Sequence, residues 1–340
     1  MELSTLWFIL VAVLFIGYFT LEGFDFGVGM LLPVLAKDEK ERRVMYNTVG
    51  PVWDGNEVWV LTAGGAIFAA FPEWYATLFS GFYLALLLIL VALIVRNLAF
   101  DYRGKKDDDS WRARWDWALI IGSFLPALLW GVAFANIVAG VPIDANKEYT
   151  GTLLTLLNPF GLLGGLVTLT LFLTHGAMFV ALKTDGDIRG RARALSIKLG
   201  LVTAVLAVIF LLWTLVKIDF KVGPLLFFVI AAAALLGGIF MATKARDGWA
   251  FVGTFVTIVF AIAGLFWALF PNVLPSTTDP AFSLTAANAS SSHHTLVVMT
   301  IVAVIFTPIV LIYQSWTYWV FRKRLTVAHI PDPITDTVKA

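Results

Sequence analysis

Acidic side chains set inside long apolar runs are the residues of this sequence with the clearest chemical potential. Leu21-Glu22-Gly23-Phe24-Asp25-Phe26-Gly27 holds two carboxyls three residues apart, which on a helix project from roughly one face. Gly50-Pro51-Val52-Trp53-Asp54-Gly55-Asn56-Glu57-Val58-Trp59 repeats that spacing with Asp54 and Glu57. Carboxylates at membrane depth are energetically expensive, and proton relays are a usual role for them there. Four acids on two adjacent helices describe a proton-accessible polar path, along which a carboxyl takes up a proton and releases it onward. Asp54 also has a plainer reading as a first-turn acid that favours the helix dipole. With Trp53 and Trp59 around it, its carboxyl is expected to be partly buried. Asp101 and Asp116 flank a later basic loop, where solvated or salt-bridged surface charge is the ordinary explanation. The dipole gives no comparable reason for Glu22 and Asp25 within a helix.

Histidine limits what the chain does. There are four, at positions 175, 293, 294 and 329. Haem needs an axial ligand, commonly His with His or Met. His175, with Met178 three residues on, is the one candidate at membrane depth, and a lone buried His more often packs and hydrogen-bonds locally. His293 and His294, adjacent on a loop, are weak evidence for a metal, and no metal site is expected. The absence of cysteine excludes thiolate-bound iron–sulfur clusters, cysteine-attached haem and disulfides. No Walker, Rossmann or nucleophile-elbow pattern occurs.

The elements that must position these acids are membrane helices. Hydrophobic residues make up 59% of the 340 residues and charged residues 14%, against about a quarter charged in soluble domains. The 28 Phe and 13 Trp suit rings placed at a bilayer interface. Apolar stretches long enough to cross about 30 Å of hydrocarbon predict nine spans near 5–35, 52–71, 76–99, 116–139, 157–183, 195–216, 223–243, 249–270 and 295–321, in a single membrane domain over 1–340. The start, MELSTLW, lacks a basic region and is read as a retained first helix. Of the 24 basic residues, all but Lys147, Lys217 and Lys221 fall on alternate loops and the C-terminal tail, counting Arg96 as a helix-end residue and Lys339 with the tail. By the positive-inside rule the N-terminus is outside and the C-terminus cytoplasmic. Asp25, Asp54 and Glu57 then lie in the cytoplasmic half of the membrane. The net charge of +1 leaves no basic surface for a nucleic acid. AGGAIFAAFP (63–72) and AGLFWALFP (263–271) hint at two four-helix units plus a ninth helix, a similarity that carries no functional weight.

The segments GYFTLEGFDFGVGMLLP (17–33), GPVWDGNEVWVLTAGGAIFAAFP (50–72) and FSGFY (79–83) resemble the hallmark segments of cytochrome bd-type quinol oxidase subunit II. FDYR (100–103), WDW (115–117), GVAFAN (131–136) and LNPFGLL (157–163) continue the likeness in the same order, with 184–250 the least distinctive stretch. The resemblance implies an all-α fold of two four-helix bundles plus one peripheral helix. It also implies a bacterial cytoplasmic (inner) membrane location and a partner, subunit I, that carries haem b, haem d and the quinol site. The complex oxidises quinol and reduces dioxygen to water with protons taken from the cytoplasm. Subunit II would bind no catalytic haem, support assembly and help supply protons, with room for a structural quinone or lipid and for a small single-helix third subunit. Carried over by motif, Asp54 and Asp25 are proton-path carboxylates and Asp101 is an entry-side acid. Glu57 stands where some members have Gln, which leaves its charge dispensable. From the residues alone two other classes stay open: a proton-coupled secondary transporter and a structural membrane scaffold, the latter giving no account of Glu22 and Asp25.

Overall fold

A computed structural model describes residues 2–218 and 220–331; Lys339 of the tail lies outside them. Helix α1 (Leu3–Leu35) runs for 33 residues, about 50 Å at 1.5 Å per residue, so it exceeds the hydrocarbon thickness and reaches past one membrane face. The first loop is itself largely helical. Amphipathic α2 (Glu39–Val49) starts where the Asp38 carboxylate accepts the Glu41 N–H at 2.9 Å, an N-cap that satisfies an otherwise unpaired donor. Helix α3 (Trp53–Ala70) follows. The stretch expected to span near 76–99 is a bent rod of two pieces, α4 (Pro72–Gly81) and α5 (Tyr83–Tyr102). Hydrogen bonds from Phe82 to Leu78 and from Leu86 to Phe82 carry the backbone ladder across the joint.

Helix α6 (Asp109–Ala139) begins at an Asp108 cap, and α9 (Asp187–Lys217) follows a positive-φ glycine, Gly186. Both start seven or more residues before the apolar runs that betray them, because their polar first turns project beyond the membrane. A short turn, α7 (Leu153–Leu156), leads into α8 (Pro159–Lys183), where the Asn158 side chain caps Gly161 and Pro159 takes the first helical position. Helices α10 (Val222–Thr243), α11 (Asp247–Leu269) and α12 (His293–Val320) complete the series. A two-stranded clip (Asn272–Leu274 with Leu284–Thr285) and a bridge from Val141 to Ser276 close the surface at the end opposite α2.

Among the described residues, eight helices are long and apolar enough to cross a membrane. The ninth member of the arrangement is α3, 18 residues long with Asp54 and Glu57 in its first turns. Helices α1, α3, α4/α5 and α6 form one four-helix unit and α8 to α11 the other, joined where α1 packs on α8 and α11 and α6 on α8. Helix α12 leans chiefly on α1 and α3 among the described residues and is almost wholly exposed along its length. The two units meet at glycines: a Cβ on Gly27 would stand 2.8 Å from the Gly176 Cα, and one on Gly176 2.5 Å from the Gly27 Cα. Small residues permit such backbone approach where burying apolar surface gives no net drive between helices. Beside this contact, Phe15, Phe19, Trp130 and Phe134 pack edge to face within 5.0–6.2 Å.

Candidate functional site

Two polar layers lie at the end of the molecule that carries α2. The outer one surrounds Asp116, in the second turn of α6. Its carboxylate, 5% exposed, accepts from Arg103 Nε at 2.6 Å, Arg42 Nη1 at 2.8 Å and the Tyr46 hydroxyl at 3.0 Å. Arg103 also forks onto both oxygens of Glu39, at 2.8 and 2.7 Å, and lies over the Tyr46 ring. Burial, followed by the charge of Asp116, pushes the Tyr46 phenol up, so it stays protonated and donates. This layer ties together α2, α6 and the turn that follows α5, which is the salt-bridged reading of Asp116 in a more buried form than a loop end suggests. A second such knot joins α9 to α11, where Arg189 and Arg193 both donate to Asp247.

The inner layer sits one to two turns further in. Arg96 of α5 donates to Glu22 of α1, and neither residue has any exposed surface. The guanidinium also lies over the Phe26 ring at 4.9 Å. One turn along α1, Asp25 accepts from the Asn56 amide at 2.7 Å. Asn56 in turn accepts from the Tyr318 hydroxyl of α12 at 2.6 Å and from Gln314 Nε2 at 3.4 Å. Beside it, Glu57 accepts from Asn97 Nδ2 at 2.7 Å. Glu22 Oε2 and Asp25 Oδ1 are buried oxygens without a hydrogen-bonding partner among the described residues, as are Arg96 Nε and Nη2. Ionised groups in such a setting need pairing or hydrogen bonding, so the cluster is a polar island in an apolar bundle, with acceptor and donor capacity to spare.

The sequence-derived acids divide between inside and outside. Glu22, Asp25 and Glu57 belong to the inner layer, although Glu22 turns to α5 and Asp25 to α3 instead of facing one neighbour together. Asp54 and Asp101 are exposed. The partial burial expected of Asp54 is not found: Trp53 stacks on Phe100 at 5.0 Å and Trp59 donates to Gln314 at 2.9 Å, so neither ring covers the carboxyl. Arg96 is a correction of another kind. Counted with the basic loops, it is instead the counter-ion of Glu22 within the bundle, and the apolar run Leu93-Ile94-Val95 before it was the available signal. Asn56, Asn97, Gln314 and Tyr318 carried no comparable mark in the sequence.

His175 is wholly buried, and both its ring nitrogens are used. Nε2 lies 3.0 Å from the Thr20 carbonyl and Nδ1 2.7 Å from the Thr254 hydroxyl, while the ring stacks on Phe251 at 4.6 Å. A carbonyl only accepts, so Nε2 carries the proton, and Nδ1 faces the Thr254 hydroxyl, which also lies 3.0 Å from the Phe251 carbonyl. Both ring nitrogens are engaged within the bundle, so the residues around His175 do not fit a haem. Among the described residues no group of three or more His, Cys, Asp or Glu is arranged to hold a metal ion.

Eight membrane-length helices and a buried acid–arginine–amide cluster define a multi-pass membrane protein with ionisable groups inside the bundle. The family profile described as cytochrome bd terminal oxidase subunit II matches residues 3–321, and the chain belongs to that family. It is 43% identical over 339 residues to the cytochrome bd ubiquinol oxidase subunit 2 of Bacillus subtilis (strain 168), covering 98% of this chain and 99% of that one. It is 40% identical over 361 residues to the cytochrome bd-I ubiquinol oxidase subunit 2 of Escherichia coli (strain K12), covering 95% of each. A solved structure, that of bd oxidase from Geobacillus thermodenitrificans, superposes with a TM-score of 0.78 over 95% of this chain and 100% of that one at 17% identity, a likeness of fold. The chain is thus a subunit of a cytochrome bd quinol oxidase complex, an oxidoreductase of the respiratory chain.

Proposed function

We propose that this subunit, a single membrane domain, supports assembly of the haem-bearing subunit I and supplies protons from the cytoplasm for the reduction of dioxygen to water. It does so without a haem of its own. Haem b and haem d, held by the partner, supply the electron transfer and oxygen chemistry. This chain's residues hold and pass protons: Asp54 and Asp101 at the cytoplasmic surface, then Glu57, Asp25 and Glu22 inside. The observation that carries the reading is the inner layer, where two acids with unpartnered oxygens stand within two turns of the charged end of the bundle. The orientation it requires has the N-terminus outside and α2, with its basic neighbours, in the cytoplasm. A reporter active only in the cytoplasm should then work when fused after Arg324 and be silent when inserted within 276–290.

The test of the proton role is quinol-driven oxygen consumption normalised to haem. Asp54→Asn keeps size and hydrogen bonding but cannot ionise. It should leave assembly and haem content near normal while slowing turnover by about tenfold or more, a part of the ~10²–10⁴-fold that general acid–base catalysis contributes. Full haem with a wild-type rate would make Asp54 a helix-dipole acid and route the protons elsewhere.

A further inference from the structure

At the charged end, a cavity of about 450 Å³ opens among α1, α8, α11 and α12. Its depth is apolar, walled by Leu21, Phe24, Phe179, Phe251 and Phe255, while Lys183 and Arg322 stand among its lining with the Tyr318 ring. These two cations differ from their neighbours. Arg103, Arg189, Arg191 and Arg193 each meet a carboxylate. Lys183 instead donates to the carbonyls of Phe321 and Lys323, and Arg322 to the Trp319 carbonyl at 2.6 Å. Among the described residues neither is paired with an acid, so both positive charges at this cavity are uncompensated. The cavity lies where α12, which packs chiefly on α1 and α3, passes α8 and α11, beside the cluster of basic residues at this end of the bundle.

We propose that this cavity is a binding site for an anionic phospholipid, with the phosphate on Lys183 and Arg322 and an acyl chain filling the apolar depth beside Phe251 and Phe255. An apolar slot rimmed by two unpaired cations complements a molecule that is anionic at one end and hydrocarbon at the other. Juxtamembrane basic residues attract such headgroups. The occupant would also brace Tyr318, whose hydroxyl holds Asn56 against Asp25. The site therefore couples the lipid to the inner polar layer through a single ring.

The test uses the complex purified intact and stripped of lipid in a neutral detergent. Phosphatidylglycerol, phosphatidylcholine or inorganic phosphate is then added, and binding is followed by native mass spectrometry and by the thermal midpoint. Phosphatidylglycerol should bind and raise the midpoint, and neither of the others should do so at equal concentration. Each basic residue near an anionic lipid surface is worth about fivefold in affinity, so Lys183→Gln with Arg322→Gln should weaken the phosphatidylglycerol site by about thirtyfold. Arg322→Gln alone leaves Lys183 on the α12 carbonyls and should weaken it by about fivefold. Three results overturn the proposal. Equal binding of phosphatidylcholine would mean that the charges do not select, and a shift reproduced by inorganic phosphate would mean a free-anion site. Variants that bind phosphatidylglycerol as tightly as the unaltered complex would place the lipid elsewhere.

Discussion

Arg96 of α5 and Glu22 of α1 form an ion pair that is sealed from solvent on both sides. Removing one member of such a pair leaves the other charge stranded, at a cost of about 3–5 kcal/mol. Arg96→Gln should therefore cut the amount of assembled complex in membranes sharply. Adding Glu22→Gln to it should restore much of the yield, because two neutral amides can hydrogen-bond where one bare carboxylate cannot. Yield and thermal midpoint of the two singles and the double give the coupling directly. Additive losses would show that the pair does not hold α1 to α5.

That pair also marks where sequence reading succeeds and fails. Glu22 and Asp25 stand out because acids inside an apolar run have no local explanation, and the structure buries both. Arg96 reads from the sequence as a loop-side cation because an arginine six residues from a helix end is equally able to snorkel to the surface. The choice depends on a partner on α1, 74 positions away in sequence. The extra turns of α6 and α9 and the whole of α2 escaped an apolar-run criterion because they are polar helices outside the membrane. Asn56, Gln314 and Tyr318 were illegible for a further reason: their roles arise only when α12 folds back on α3.

The contact between Gly27 and Gly176 leaves no space for a side chain, and backbone stands on both sides. Gly27→Ala should lower the thermal midpoint of the complex, and Gly27→Leu should abolish assembly, since two packed helices can relieve the clash only by separating. The same order is expected at Gly176. An assembled, normally stable Gly27→Leu complex would refute the close approach of the two four-helix units.

His175 bridges Thr20 on α1 and Thr254 on α11 through its two ring nitrogens. A glutamine can present one donor and one acceptor in a similar volume. His175→Gln should therefore keep the haem absorption spectrum of the complex intact, with at most the loss of about one hydrogen bond, roughly 1 kcal/mol, in stability. Disappearance of a haem band with the complex still assembled would make His175 a ligand.

The orientation of the Asn56 amide gives the most direct test of the inner layer. Its nitrogen donates to Asp25 only because its oxygen is claimed from the other side by Tyr318 and Gln314. Tyr318→Phe deletes the hydroxyl at 2.6 Å while preserving the ring. The amide is then freer to turn its oxygen toward the carboxylate, a contact both groups disfavour. With a net value of about 1 kcal/mol for a hydrogen bond, oxygen consumption per haem should fall roughly fivefold without loss of haem. Asn56→Asp is the harsher change, placing two carboxylates within hydrogen-bonding distance in a buried site. It should reduce both turnover and assembly. Asn56→Gln keeps the chemistry but moves the amide by one methylene, and should fall between the two. If Tyr318→Phe respires at the wild-type rate, the amide is held by packing alone, and the link from α12 to Asp25 is structural.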